Sequence, residues 1–187
     1  MGQYFLLVNE DKREYVSSRD IGGGAKLWEW IVNINECGVI TSMLMNGWSG
    51  DRIALVGDYD KSKLFGKAYN LYKNTSKLAK SLYDKNIKLT ESKSKLYAIN
   101  ETTNEYISGT FKQISICLTL LLRMSSAGGG GDIYEDYITA GKWAENKIVI
   151  KDKQPSNKYN NINSAVYSDA FDFYGTDWKM QVFGKHI

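Results

Sequence analysis

The sequence predicts an α+β fold, a single pseudo-symmetric domain over 1–187 built from two copies of a hairpin–helix–strand–helix unit. Three observations predict it. Short runs of strand length alternate with longer runs at helical spacing. One apolar run, Ile53-Ala54-Leu55-Val56, is bounded by Gly50 and Gly57, as a buried strand would be. Its surroundings have a weaker echo in the second half, where Trp48, Asp51, Arg52 and Ile53 line up with Trp143, Asn146, Lys147 and Ile148. Upstream, Val8-Asn9-Glu10 and Glu14-Tyr15-Val16-Ser17 line up with Ile99-Asn100-Glu101 and Glu105-Tyr106-Ile107-Ser108. The two copies run from 4 to 90 and from 96 to 187, with extra length in the second supplied by a Gly128 to Gly131 loop.

The elements follow in order. Tyr4 to Val8 and Arg13 to Val16 are strands around the polar turn Asn9 to Lys12, which makes a hairpin. Gly22-Gly23-Gly24 leads into a helix beginning near Ala25 and carrying Leu27, Trp28, Trp30, Ile31 and Ile34. Cys37-Gly38 is expected to break it. Val39 to Met45 is a further apolar run, helix or strand. Leu64 to Lys85 reads as one long helix, with Leu64, Ala68, Leu71, Tyr72, Leu78, Ala79 and Leu82 on its apolar face. The lysines mostly off that face read as a solvated surface. The second copy repeats the order: a hairpin over Leu96 to Ser108, a helix over Phe111 to Met124 in the place of Ala25 to Ile34, and the echo strand Lys147 to Ile150. A helix over Ile162 to Phe173 matches the Leu64 helix, and Trp178 to Gly184 reads as a last strand and turn. Each element carries more apolar surface than one small copy can bury, so the copies are expected to share one core.

Composition narrows the function classes. The net charge of +3 is too small to imply nucleic-acid binding. Cys37 and Cys117 are too few for a disulfide framework and lack metal spacing, so they read as buried free thiols. No signal segment reads from Met1-Gly2-Gln3, and Leu6 stands where a myristoylation pattern needs Ser or Thr. Ile114 to Leu122 is too short to span a bilayer. A soluble, cytoplasmic protein with no membrane partner and no cofactor is the expectation.

The first sixty residues carry a distinctive set of motifs. Met1-Gly2-Gln3-Tyr4 is followed by Val8-Asn9, Lys12-Arg13-Glu14-Tyr15, a glycine-rich turn and Ala25-Lys26-Leu27-Trp28-Glu29. Then come Trp48, Gly50-Asp51-Arg52-Ile53 and Val56-Gly57-Asp58-Tyr59. In these motifs the segment resembles an uncharacterised protein family. The resemblance implies a shared fold; it implies no chemistry, and it is faint beyond residue 60.

Catalytic patterns are sparse. The one histidine, His186, stands next to the C-terminus, which argues against histidine triads and His-rich zinc sites. Asp58-x-Asp60-x-Ser62 opens like a calcium loop, but Lys63 and Tyr69 stand where an EF-hand needs Gly and Glu. The plainer expectation is a loop in which Asp60 to Ser62 caps the Leu64 helix. Gly22 to Gly24 could cradle a phosphate with backbone amides, without matching a phosphate-loop pattern. The leading expectation is therefore a non-enzymatic protein-interaction or structural module in a larger assembly, with a protein partner or a second copy of itself. Its aromatic content supports that, with Trp48, Tyr59 and Trp143 as interface residues. The alternative is a small-ligand or divalent-metal-dependent enzyme, with Asp51, Asp58 and Asp60 as carboxylates and Arg52 as an anion clamp.

Overall fold

The computed structural model describes residues 3–124 and 138–172. It opens with β1 (Phe5–Asn9) and β2 (Glu14–Ser17), an antiparallel hairpin that pairs Val8 with Tyr15 and Asn9 with Glu14. A single 3₁₀ turn, Ser18–Ile21, leads through the glycines to α1 (Leu27–Val32). Asn33 leaves the helix and caps the next one, its side chain accepting from the Asn35 N–H at 3.0 Å. That helix, α2 (Ile34–Leu44), runs straight through Cys37 and Gly38. The expected break at Cys37-Gly38 is therefore absent. Gly38 serves packing: a Cβ there would stand 2.5 Å from the Tyr83 ring. Val39 to Leu44 is thereby helical, and β3 (Arg52–Gly57) follows as the focal strand.

The expected single helix over Leu64 to Lys85 is two helices. These are α3 (Leu64–Leu71) and α4 (Ser76–Asn86), separated by the two-residue strand β4 (Lys73–Asn74). The reason is sidedness. Leu64 and Ala68 of α3 pack with Leu6, Val8, Tyr15, Ala54 and Val56 on one face of the sheet, whereas Ala79 and Tyr83 of α4 belong to the core on the other face. The chain must pass around the sheet edge between them, and it does so by pairing β4 parallel to β2. The Lys73 N–H donates to the Arg13 carbonyl at 2.9 Å and the Thr75 N–H to the Tyr15 carbonyl at 2.8 Å. Leu71 and Leu78, assigned above to one buried stripe, are 76 % and 52 % exposed.

The second half lays down β5 (Leu96–Asn100), β6 (Glu105–Gly109) and α5 (Phe111–Leu121). Thr110 caps α5 in a reciprocal box with Gln113. The expected helix to Met124 stops short, because Arg123–Met124 form β7 beside β3. Then come β8 (Asn146–Lys151), β9 (Asn160–Asn161) and a last helix, α6, over 163–172. α5 packs on α2 across the middle of the molecule, where the Thr41 and Ser115 hydroxyls meet at 2.7 Å. Its main helix partner is therefore α2, with α1 a lesser neighbour. α6 follows β9 as α4 follows β4, and its Val166 and Ala170 join the same core as Ala79 and Tyr83 of α4. The Gly128 to Gly131 loop, the Trp178 to Gly184 strand and His186 lie outside the described residues.

The sheet has the order β4-β2-β1-β3-β8-β5-β6-β9, with β7 also on β3. The order reads alike from either end. Its centre is the antiparallel contact of β3 with β8, which pairs Arg52 with Lys147 and Ile53 with Asn146. Strand side chains alternate between faces. Phe5, Leu7, Val16, Ile53, Leu55, Ala98, Ile107 and Ile148 therefore point into one core with α1, α2, α4 and α5, which draws on both halves of the chain. The opposite face carries two smaller clusters, one roofed by α3 and one around Tyr97, Ile99, Tyr106 and Val149. The α+β class predicted above is the class observed. No described helix is long and apolar enough to cross a membrane.

Candidate functional site

The residues singled out around β3 go to different tasks. Trp48 and Trp143, expected at an interface, are core residues at 1 % and 0 % exposure. Each indole N–H donates to a carboxylate on a hairpin strand, Trp48 to Glu14 at 2.8 Å and Trp143 to Glu105 at 3.0 Å. An acceptor offsets the cost of burying an indole N–H, and the strands β2 and β6 supply it. The Glu105 carboxyl, which also takes Lys142 at 2.5 Å, is held below its ordinary range by these donors although burial acts the other way. Tyr59 is the one member of the expected trio on the surface, at 42 % exposure.

Asp51 and Arg52 hold the hairpin turn. The Asp51 carboxylate accepts from Asn9 Nδ2 at 2.8 Å and pairs with Lys12 Nζ at 3.3 Å. Arg52 gives Nε and Nη2 to one oxygen of Asp11 at 2.9 and 2.7 Å, and its backbone N–H to the other at 2.7 Å. These bonds hold the Asp11 carboxyl below its usual range. The proposed anion clamp is thus already occupied by a carboxylate of the same chain. Asp58 lies beyond the far end of β3, about 20 Å along the strand from Asp51. Its Oδ1 accepts from the Tyr4 N–H at 3.0 Å. Asp60 accepts from the backbone and hydroxyl of Ser62, whose Oγ in turn accepts from the Leu64 N–H at 3.1 Å at the start of α3. The structure does not bring Asp51 together with Asp58. Among the described residues no three His, Cys, Asp or Glu side chains gather closely enough to hold a metal.

A concave surface does form beside Asp58. A cavity of about 410 Å³ opens between the start of β1, strand β2 and helix α3. Tyr4, Tyr15, Phe65 and Tyr69 supply its rings; Arg19, Asp20 and Asp58 supply its charges. Tyr15 points out of the sheet because Val16, its neighbour, points in. Phe65 and Tyr69 are one helical turn apart on α3 and lie parallel, 6.4 Å between centroids, and Tyr69 meets Tyr15 at 6.2 Å. Arg19 lies over the Tyr4 ring, 4.5 Å from its centre. A second cavity, of about 680 Å³, adjoins along β4 and shares Asp20 and Asn74. The sequence reading named Asp58 but missed Tyr4, Tyr15, Phe65 and Tyr69 as a group. The available signal was the spacing of Phe65 and Tyr69 on one helix face, and the long Leu64 helix obscured it.

Cys37, Cys117 and Glu36 are titratable groups of the interior, away from the groove. Burial pushes the Cys37 thiol up to about 12 and raises the Cys117 thiol too, so neither is a nucleophile near neutral pH. Glu36 on α2 is 2 % exposed. Its Oε1 accepts from Asn33 Nδ2 at 2.9 Å and the Gly24 N–H at 3.2 Å, while its Oε2 has no hydrogen-bond partner among the described residues. Burial pushes this carboxyl up to about 7, with the nearby Glu29 adding to the rise. The glycine turn closes on these acids: a Cβ at Gly23 would meet Glu36 at 2.1 Å, and one at Gly24 would meet Glu29 at 2.2 Å. Two carboxylates in that place are poor company for a phosphate.

Compared with known proteins, the chain matches no family model, no curated protein and no solved structure.

Proposed function

We propose that the chain is a non-enzymatic protein-interaction or structural module, a component of a larger protein assembly, and that it docks through the aromatic groove between β2 and α3. One observation carries the reading: the groove sets Tyr69 and Tyr4, 61 % and 41 % exposed, around a cavity flanked by carboxylates. Tyrosine gives much contact area for little entropy, and such rings anchor protein interfaces. Leu71 and Leu78 extend the exposed apolar surface along the same edge of the sheet. The modest net charge favours a protein over a nucleic acid as partner. Two buried free thiols support a reducing, cytoplasmic setting. We also propose that the two halves are copies of one unit, which the palindromic strand order supports.

The test is cross-linking of the tagged protein in its native source, followed by mapping of the linked positions. The expected result is a stoichiometric partner linked around α3 and β4 and lost on Tyr69→Ala. A protein that stays monomeric and unlinked, or links that map elsewhere, would overturn the reading. The alternative, a small-ligand or metal-dependent enzyme using the acidic loop, draws on Asp58 alone, the one loop carboxylate that lines the groove. Divalent ions raising the thermal midpoint of the wild type but not of Asp58→Asn would favour it.

A further inference from the structure

We infer that the groove seats a basic side chain of the protein partner, and that this side chain is an arginine. The inference rests on the docking reading above and names the chemistry of what docks.

The lining argues for a cation in two independent ways. The first is the rings. An aromatic face attracts a cation through its quadrupole. The groove already shows this on itself, since Arg19 stacks over Tyr4. The rings of Tyr15, Phe65 and Tyr69 line the same cavity, and no described cation lies over them. The second is the carboxylates. Asp20 and Asp58 both line the cavity, against the single guanidinium of Arg19, so the lining carries a net negative charge. Each carboxylate is steadied through one oxygen. Asp58 Oδ1 takes the Tyr4 N–H at 3.0 Å, and Asp20 Oδ2 takes Asn74 Nδ2 at 2.6 Å. Holding one oxygen fixes the orientation of the other. An acidic or phosphorylated segment meets like charge here, whereas a basic one finds complementary charge. Arginine is favoured over lysine because its planar guanidinium can stack on a ring while its edge donates to a carboxylate.

The probe is Nα-acetyl-arginine amide, titrated into the full chain labelled with ¹⁵N. Nα-acetyl-citrulline amide is the neutral control of the same shape, and Nα-acetyl-glutamate the anionic one. Saturable shifts confined to Tyr4, Tyr15, Arg19, Phe65 and Tyr69 are expected with arginine alone. Asp58→Asn keeps the acceptor for the Tyr4 N–H and should weaken that binding roughly tenfold. Equal shifts with citrulline, shifts with glutamate, or no response to arginine at its solubility limit would each overturn the proposal. The two claims can fail apart. A partner that is lost on Tyr69→Ala, yet still binds when each of its arginines is replaced, overturns the arginine assignment and leaves the docking surface standing. Arginine binding in the groove of a chain that links to no protein sinks the docking reading, and the partner's arginine with it.

Discussion

The two halves of the molecule make the same bonds at the same places and then part company on one face. In the first half Glu14 receives the Trp48 indole, Asn9 binds Asp51, and Asn74 donates to the Tyr15 hydroxyl at 3.2 Å. In the second Glu105 receives the Trp143 indole, Asn100 donates to Asn146 at 3.2 Å, and Asn161 donates to the Tyr106 hydroxyl at 3.3 Å. Even the hairpin turns agree, with Arg13 and Asn104 at φ 52 and 55. The difference is α3. The first half covers its outer sheet face with that helix, and the groove lies at its side. The second half passes from β8 to β9 with no helix between them. Its Tyr97 and Tyr106 are held down instead by contact with each other and with Tyr159. Bonds present in both halves hold the fold; the feature present in one half is where an added role can be sought.

The comparison can be broken most sharply at the tryptophans. Trp48→Ala and Trp143→Ala should each cost about 3–5 kcal/mol in denaturant melts, because each empties a filled core site and takes the indole donor away from a half-buried carboxylate. A large cost at one and a small cost at the other would show that the matched geometry does not carry matched weight.

A smaller effect separates the halves by pH. Glu36 has no acidic counterpart in α5, whose residues from Phe111 to Leu121 include no Asp or Glu. Its carboxyl titrates near 7 in the folded chain against an ordinary 4.5, so the native state keeps a proton that the unfolded chain releases. Stability from this group is fully present below the lower value and is lost as pH rises through the upper one. Glu36→Gln should therefore stabilise the protein at pH 8 by on the order of 2 kcal/mol and flatten the slope between the two values. If wild type and Glu36→Gln show the same pH profile in thermal melts, the buried acid is not the source.

Gly38→Ala tests the packing of α2 on α4. The added methyl would meet Tyr83 at 2.5 Å, so a loss of about 1–3 kcal/mol is expected despite the better helix propensity of alanine. A gain in stability would mean that α4 yields freely.

The smallest effect belongs to Asp51→Asn. It gives the first half the residue that the second half already has at Asn146. The bond from Asn9 can persist, and only the surface pair with Lys12 is lost, so the change should stay within about 0.5 kcal/mol. A larger loss would make Asp51 more than a turn-holding residue.

Much of the architecture was legible residue by residue. The hairpins, β3, β8 and the buried thiols follow from alternation, glycine punctuation and apolar surroundings, all set by neighbours in the chain. Tyr69 and Phe65 were visible as aromatics but not as a wall of a groove, since that depends on where α3 lands. The strand β4 was not legible at all. Tyr72 to Thr75 continue a helical spacing, and only the open edge of β2 and the need to change faces draw them out of it. Gly38 reads locally as a helix break, yet it is a contact point for Tyr83. Trp48 and Trp143 read as surface anchors until Glu14 and Glu105 close over their indoles. Periodicity reports which side of an element is apolar. It does not report which face of the sheet that side will meet, because the choice is made by chain segments distant in sequence competing for one core.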